Sequence, residues 1–483
     1  MKEKIQALET IARLLEPASG ERSEVRDKVV QYGEDFLDEI EELKAYIFTD
    51  DKGAGLLESP INEDPARIEN LLELLLDNVD TPGLNPASGG HLGYIPGGGI
   101  YYSALGDYLA DITNRYAGIF FASPGAVRME NMLIRWMAEV VGYPSTASGN
   151  LASGGSIANL SAIVTAREAH NIKSKDIEKT VIYLSSQAHH CIDKAIRIAG
   201  LQECIQRQIP LDSQYRMIPE ALEQMIQSDK ASGLIPFMVI ASAGTTDVGA
   251  VDPLEQIGQI THSRGLWYHI DAAYGGFFLL TEYGKKVMKG IEMSNSVVMD
   301  PHKGLFLPYG LGVVLVKDVH ALNKAHQYQA NYMQDALEST DEYSPADLSP
   351  ELTKHFRGLR LWLPLKLHGL KPFRAALEEK LLLARYFYEE IQKIPGFVVG
   401  PVPELSVVTY RYIPKKGNAN DFNKKLVEAV QHDGRVFISS TLLDGNFTLR
   451  LAVLSFRTHL KTIDTLLEVL RIKVNEIEEL NAD

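Results

Sequence analysis

Lys303 lies in the run Ser294-Asn-Ser-Val-Val-Met-Asp-Pro-His-Lys-Gly-Leu-Phe-Leu-Pro-Tyr-Gly310, directly after a histidine and ahead of a glycine-flanked turn. Apolar stretches precede and follow it, the second at 311–316, so the lysine falls between two expected buried strands. Lysine is almost never fully buried without a partner. The ordinary reading is a loop lysine whose ammonium reaches water. The chemical reading is an amine that forms a Schiff base with a carbonyl-bearing group, which neutralises or delocalises the charge that burial penalises.

Other segments offer matching chemistry. Asp271 ends the apolar run of Trp267-Tyr-His-Ile-Asp271-Ala-Ala-Tyr and is followed by small residues that leave room for a flat ring. The run Ala152-Ser-Gly-Gly155-Ser156-Ile-Ala-Asn159 precedes an expected helix; its glycines allow an anion close to the backbone, and the helix start offers free N–H groups. His189, in Ser185-Ser-Gln-Ala-His189-His190-Cys191, follows an expected strand and can stack on a ring or move a proton. Thr245 and Thr246 follow another strand and present hydroxyls. Pyridoxal phosphate needs this set: an amine, a carboxylate at its ring nitrogen, a phosphate cradle and something flat on its face. Each piece also has a structural reading. Ser-Gly-Gly-Ser is an ordinary helix cap, Asp271 an N-cap, the threonines a turn, and a single histidine a core residue. His190 and Cys191 lack further ligands at metal-binding spacing, so no metal is expected.

These segments need a scaffold that brings strand ends together. Expected strands at 181–184, 237–241, 266–270, 297–299 and 311–316 alternate with expected helices at 157–169, 219–227 and 253–263, the pattern of a mostly parallel α/β sheet with helices on both faces. Ligands in such sheets bind beyond the carboxyl ends of the strands. Residues 1–85 read as helical, with a helix over 66–79 opened by Asp64 as N-cap and Pro65 at its first position, and too apolar to stand uncovered, so that either a partner subunit or the chain's own main domain must cover it. The stretch 82–99 reads as a long glycine- and proline-rich loop, whose Gly97-Gly98-Gly99 matches no named phosphate fingerprint and suits a tight crossing over a neighbour. Residues 127–141 form an expected amphipathic helix closed by Gly142, 327–350 an irregular lid-like loop, and the last part a smaller α+β domain. The expected division is 1–85 for a helical dimerisation segment, 86–360 for a large domain and 361–483 for a small one.

The chain has 483 residues, 45% hydrophobic and 23% charged, as in ordinary globular proteins. A net charge of −15 argues against a nucleic-acid partner. Two cysteines exclude a disulfide framework and fit a reducing, cytoplasmic setting. No apolar stretch reaches the roughly 20 residues of a membrane span, so no membrane association is expected.

In the order phosphate loop, histidine, threonines, aspartate, lysine, the chain resembles the group II pyridoxal-phosphate-dependent amino acid decarboxylases over about 25–460. It is most similar to the aromatic-L-amino-acid branch, through Ser-Gln-Ala-His189, His-Ile-Asp271-Ala-Ala-Tyr, Asp300-Pro-His-Lys303, Phe121-Ala-Ser-Pro-Gly-Ala and Phe356-Arg-Gly-Leu-Arg-Leu-Trp362. The resemblance implies an aspartate-aminotransferase-like fold (type I) and a homodimer with active sites at the interface. It implies Lys303 as Schiff-base lysine, Asp271 on the pyridinium, His189 stacked on the ring, and Thr246 and Ala273 in contact with it. It also implies that Gly155, Ser156, Asp300 and His302 lie near the phosphate, and that Tyr332, from the loop, protonates Cα in the neighbouring subunit's site. The implied reaction is α-decarboxylation of an L-amino acid, with an aromatic one expected. The rivals are an aromatic aldehyde synthase, a glutamate-type decarboxylase with Arg450 or Arg457 as its cation, and an inactive cofactor binder. The chain departs from the family pattern at Asp300, where many relatives have Asn, and at Gly304 and Gly118, where bulkier residues are frequent. With the loop Tyr94-Ile-Pro96, these glycines are expected to open the substrate end.

Overall fold

Short apolar runs bounded by turn residues have two ways to bury themselves, and length decides between them. The computed structural model describes residues 1–327 and 342–480. The chain enters through helices Lys2–Ala12, Ser19–Glu39 and Ile68–Leu75 and a small antiparallel ribbon of β1 (Tyr46–Ile47) and β2 (Gly83–Leu84). A seven-stranded sheet follows, built from β3 (Ser148–Ala152), β4 (Thr180–Leu184), β5 (Ile205–Gln208), β6 (Ile235–Ser242), β7 (Trp267–Asp271), β8 (Ser296–Met299) and β9 (Gly312–Val316). Their order is β3-β9-β8-β7-β6-β4-β5. Neighbours from β5 to β8 run parallel, and β9 is antiparallel to both β8 and β3.

Every residue of β4, β7, β8 and β9 is buried, as a parallel sheet covered on both faces requires. Side chains alternate between faces. Tyr183, Val239, Tyr268, Val297 and Val313 enter one core, with the helix Pro124–Val141. Ile182, Ile240, Val298 and Val314 enter the other, with the helix Gly155–Ala169. Beyond this sheet, β10 (Phe397–Val399), β11 (Val407–Tyr412), β12 (Ser439–Leu443) and β13 (Asn446–Ala452) form an antiparallel sheet. Helices Leu370–Ile391, Ala419–Asp433 and Leu460–Leu480 share its core. The large mostly parallel α/β domain and the smaller α+β domain are therefore both present.

Three expectations need correction. The helix placed at 66–79 starts at Ile68 and ends at Leu75, with a π-helical turn at Leu76–Asp80. Asp64 and Pro65 do not cap it, because Arg67 is still extended at φ −76°, ψ 141°. The helix Tyr101–Thr113 was not expected; it packs closely on the helix Gly358–His368, where a Cβ on Gly106 would stand 2.6 Å from the Leu359 carbonyl oxygen. Strand β3 was also missed, since Ser148-Gly149-Asn150 is poor strand-forming sequence.

One buried charge pair ties the return from the 342–350 segment to the large domain. Lys354 Nζ lies 2.6 Å from Glu130 Oε2, both side chains fully enclosed. It also reaches Asn150 Oδ1 on β3 at 3.3 Å, while Glu130 Oε1 accepts the Gly358 N–H at 3.1 Å. Breaking such a pair strands a charge in the core, whereas replacing both members need not. We expect Lys354→Ala to lower unfolding stability by about 3–5 kcal/mol. The double variant Glu130→Gln/Lys354→Met, which keeps an acceptor for Gly358, should recover most of it in urea titrations.

Candidate active site

Strands that run parallel deliver the segments after them to one edge of the sheet. There the structure has a cavity of about 310 Å³. Its wall takes Ser153 to Ser156 after β3, His189 after β4, Thr245 and Thr246 after β6, Asp271 and Ala273 at the end of β7, and Asp300, His302 and Lys303 after β8. Residues far apart in sequence thus share one space.

Lys303 stands on a single helical turn, Pro301–Gly304, opened by proline at its first position. Its Nζ is 3.0 Å from Asp300 Oδ2, and its side chain keeps 24% exposure, toward the cavity. Burial presses the ammonium toward neutrality, but the charges of Asp300 and Asp271 and the bond to Asp300 outweigh it and raise the pKa. Asp300 is 1% exposed, enclosed by backbone: a Cβ on Gly155 would lie 2.8 Å from its Oδ2, and one on Gly312 2.6 Å from its Oδ1. His302 donates from Nδ1 to the Leu311 carbonyl and turns Nε2 to Asp300 at 3.7 Å. Burial lowers the pKa of His302.

Opposite the lysine, Asp271 Oδ1 accepts the Ala273 N–H at 3.1 Å and Oδ2 accepts Asn159 Nδ2 at 3.3 Å. His189 accepts the Cys191 N–H on Nδ1 at 3.2 Å, which leaves the proton of the neutral ring on Nε2. Burial lowers its pKa against the pull of Asp271, and burial pushes the Cys191 thiol up to about 12. The helix Gly155–Ala169 begins at the cavity with no side chain capping its first turn, so those N–H groups remain available to an anion.

The glycine loop crosses tightly over the lysine turn. A Cβ on Gly97 would stand 2.2 Å from the His302 carbonyl oxygen, and Gly98 takes φ 99° against Phe456. This crossing brings Ile95 to the cavity wall. Exposed Tyr94 and buried Pro96 beside it do not line the cavity. Nor does Arg450, which is 3% exposed with its guanidinium turned to other groups: Nε donates to Asp247 O at 2.9 Å, Nη1 to Ser439 Oγ at 2.8 Å, and Nη2 to the Thr246 and Tyr94 carbonyls. It braces the turn that carries Thr246. Arg457 is likewise held by the Ala87 and Gly98 carbonyls.

The two departures at glycine do not open the cavity. A Cβ on Gly304 would strike Phe277 at 2.7 Å, and one on Gly118 the Leu352 carbonyl oxygen at 2.4 Å. Neither residue lines the wall. Tyr332 lies outside the described residues. Asn159, Gln187, Ser242 and Tyr274 line the cavity without having been given roles from the sequence. Asn159, Gln187 and Tyr274 stand inside motifs quoted for other residues, and no pattern marks Ser242.

These residues fit pyridoxal phosphate on structural grounds. The cavity joins a lysine amine, a carboxylate and an uncapped helix start, and two buried oxygens beside it, Gln187 Oε1 and Asp300 Oδ1, have no hydrogen-bond partner among the described residues. Fold and site together are those of a pyridoxal-phosphate-dependent enzyme. Residues 56–413 match the pyridoxal-dependent decarboxylase conserved domain. An aromatic-L-amino-acid decarboxylase of Bacillus atrophaeus is 32% identical over 428 residues, 88% of each chain. A phenylacetaldehyde synthase of Petunia hybrida is 30% identical over 435 residues, 86% of this chain and 85% of its own. The fold is shared with a Catharanthus roseus tryptophan decarboxylase solved with L-tryptophan, at TM-score 0.86 and 24% identity over 95% of this chain and 99% of that one. The chain belongs to the pyridoxal-dependent decarboxylase family and is a carboxy-lyase that uses this cofactor.

Two variants test the lysine's setting. Lys303→Ala should bind no cofactor that survives dialysis, read as loss of visible absorbance, and should have no turnover. Asp300→Asn removes the charge that raises the Lys303 pKa, so the amine should become reactive at lower pH. The rate at which absorbance develops when pyridoxal phosphate is added to cofactor-free protein, followed against pH, should move its midpoint down. An unmoved midpoint would show that Asp300 does not control the amine.

Proposed function

We propose that this protein removes the α-carboxylate of an aromatic L-amino acid, working as a homodimer in the cytoplasm. The observation that carries the reading is the cavity itself, where Lys303, Asp271 and His189 meet at the carboxyl ends of the strands. When bound, pyridoxal phosphate supplies an electron sink for the pair released at Cα as carbon dioxide leaves. Lys303 holds it covalently, and Asp300 at 3.0 Å shares the proton of the free amine. Asp271 would pair with the ring nitrogen and favour its protonated form. The first-turn amides after Gly154, with Ser156 and His302, hold the phosphate. His189 offers a flat neutral ring on which the cofactor would stack, and Thr246 and Ala273, on the cavity wall, would contact it. Tyr332 returns a proton to Cα.

An aromatic substrate is favoured by the charges of the wall. Among the described residues lining the cavity there is no guanidinium, and Lys303 is the single ammonium. A glutamate side chain would place a carboxylate there without a cation, and stranding a buried charge costs about 3–5 kcal/mol. Over a panel of L-amino acids, aromatic substrates should release amine, and kcat/KM for glutamate should fall at least about 10²-fold below theirs. Equal rates on glutamate would overturn the substrate class. Aldehyde with peroxide in place of amine would support the rival synthase chemistry, which is disfavoured because the sequence keeps both His189 and Tyr332.

The homodimer rests on the first 85 residues. Helices Lys2–Ala12, Ser19–Glu39 and Ile68–Leu75 bury none of their residues within the subunit. Ile5, Leu8, Ile11, Leu71 and Leu75 are 39–66% exposed. Such apolar faces fit a second copy of the chain. Leu71→Glu combined with Leu75→Glu should shift sedimentation from dimer to monomer and lower activity with it; a dimer that persists at full strength would remove these helices from the interface.

A further inference from the structure

Behind Asp271 lies a chain of buried polar groups that starts at Asn159 on the cavity wall and has no part in the reaction as derived. Trp267, His269 and Asp271 alternate along β7 and share the face packed against the helix Gly155–Ala169. Asn159 reaches down from that helix, and Ser296 is the register partner of His269 on β8. Asn159, His269 and Ser296 are each 0% exposed. Trp267 Nε1 donates to Ser296 Oγ at 2.9 Å. Ser296 Oγ is 2.8 Å from His269 Nδ1, His269 Nε2 is 2.7 Å from Asn159 Oδ1, and Asn159 Nδ2 donates to Asp271 Oδ2 at 3.3 Å.

The proton pattern along this chain is fixed from both ends. The indole N–H is a donor only, so Ser296 accepts from it and gives its own proton to His269 Nδ1. An ionised carboxylate is an acceptor only, so Asn159 must turn its NH₂ toward Asp271 and its oxygen toward His269. Both demands are met by one tautomer of His269, neutral with the proton on Nε2. Burial, against the charge of Asp271, lowers the pKa of this histidine to about 4, so it stays neutral at ordinary pH. The titratable groups that face Asp271 are His189 and Cys191 after β4, Lys303 after β8 and His269 on its own strand. From Asn159 the hydrogen-bond path leads inward, through His269 and Ser296, among groups closed to solvent.

We propose that His269, with Ser296 and Asn159, is a positioning relay that holds Asp271 as an oriented acceptor and thereby sets how strongly the site prefers a protonated ring nitrogen. This rests on the reading of Asp271 as the ring-nitrogen partner. The rival is a core network that only rigidifies the sheet, which buried and fully satisfied polar groups also do.

The test compares pyridoxal phosphate with its 1-deaza analogue, in which carbon replaces the ring nitrogen. Dissociation constants for both are measured on the cofactor-free full-length protein. Loss of a charge-assisted partner should weaken pyridoxal phosphate by about 10- to 100-fold in His269→Leu, and less in Ser296→Ala, with the analogue's affinity unchanged. Ser296→Thr, which keeps the hydroxyl, should restore the preference. Equal losses for both compounds in the relay variants would mean a structural role only and overturn the proposal. So would an intact preference in Ser296→Ala and His269→Leu when Asp271→Asn abolishes it. If Asp271→Asn itself leaves the preference intact, the reading of Asp271 fails and the relay falls with it. Should His269→Leu not fold, the serine pair decides by the same criteria.

Discussion

The ion pair between Lys303 and Asp300 is the constraint around which the rest of the large domain is arranged. Asp300 is 1% exposed, and a carboxylate at that depth must be met by cations or donors. It meets Lys303 on Oδ2 and, among the described residues, has no hydrogen-bond partner on Oδ1. The surroundings admit it only because Gly155 and Gly312 bring bare backbone against both oxygens. A side chain at either position would displace the carboxylate and with it the amine. The glycines after β3 and at the start of β9 are therefore part of the lysine's environment.

The reversal of β9 serves the same end. A chain that left β8 into a parallel crossover would carry Lys303 away over a helix. Instead it makes one helical turn, passes Phe306 at φ 63° and returns along β8 as an antiparallel strand. Such a φ is rare for a bulky residue and marks strain held by its surroundings. Phe306 is locked there by burial and by stacking on Phe373 at 6.2 Å, with parallel planes. The loop of Gly97 lies over the turn from outside and closes it against the Leu311 end of β9.

What the sequence could reveal follows from this geometry. Lys303, Asp271 and His189 each follow an apolar run long enough to read as a strand, and parallel strands bring their far ends together. That logic needs no knowledge of packing. Strand β3 needs it: Gly149 lets the Val314 carbonyl approach to 2.0 Å of where a Cβ would stand, and no run of apolar residues announces it. The edge strand β5 alternates half-buried and exposed residues, with Gln206 and Gln208 outward, and so reads as polar loop. Arg450 looks like a free cation in sequence because nothing local shows that the carbonyls of Thr246, Tyr94 and Asp247 surround it. Its burial is set by the meeting of two domains, which periodicity does not encode.

The glycines at 304 and 118 carry a more general lesson about substrate selection. A small residue in place of a large one suggests vacant volume only if the neighbours stay put. Here Phe277 and the Leu352 carbonyl occupy the space, so both exchanges are internal to the packing. A pocket is then not widened where its sequence looks thinnest. The side chain of the substrate must be selected by groups that reach the cavity, and on this chain the wall beyond Lys303 holds the carboxylates of Asp271 and Asp300, the rings of His189 and His302, hydroxyls, amides and apolar side chains such as Ile95 and Ile157. Walls of that kind reject a second carboxylate by leaving it unpaired, a stronger discrimination than shape alone achieves between apolar groups of similar size.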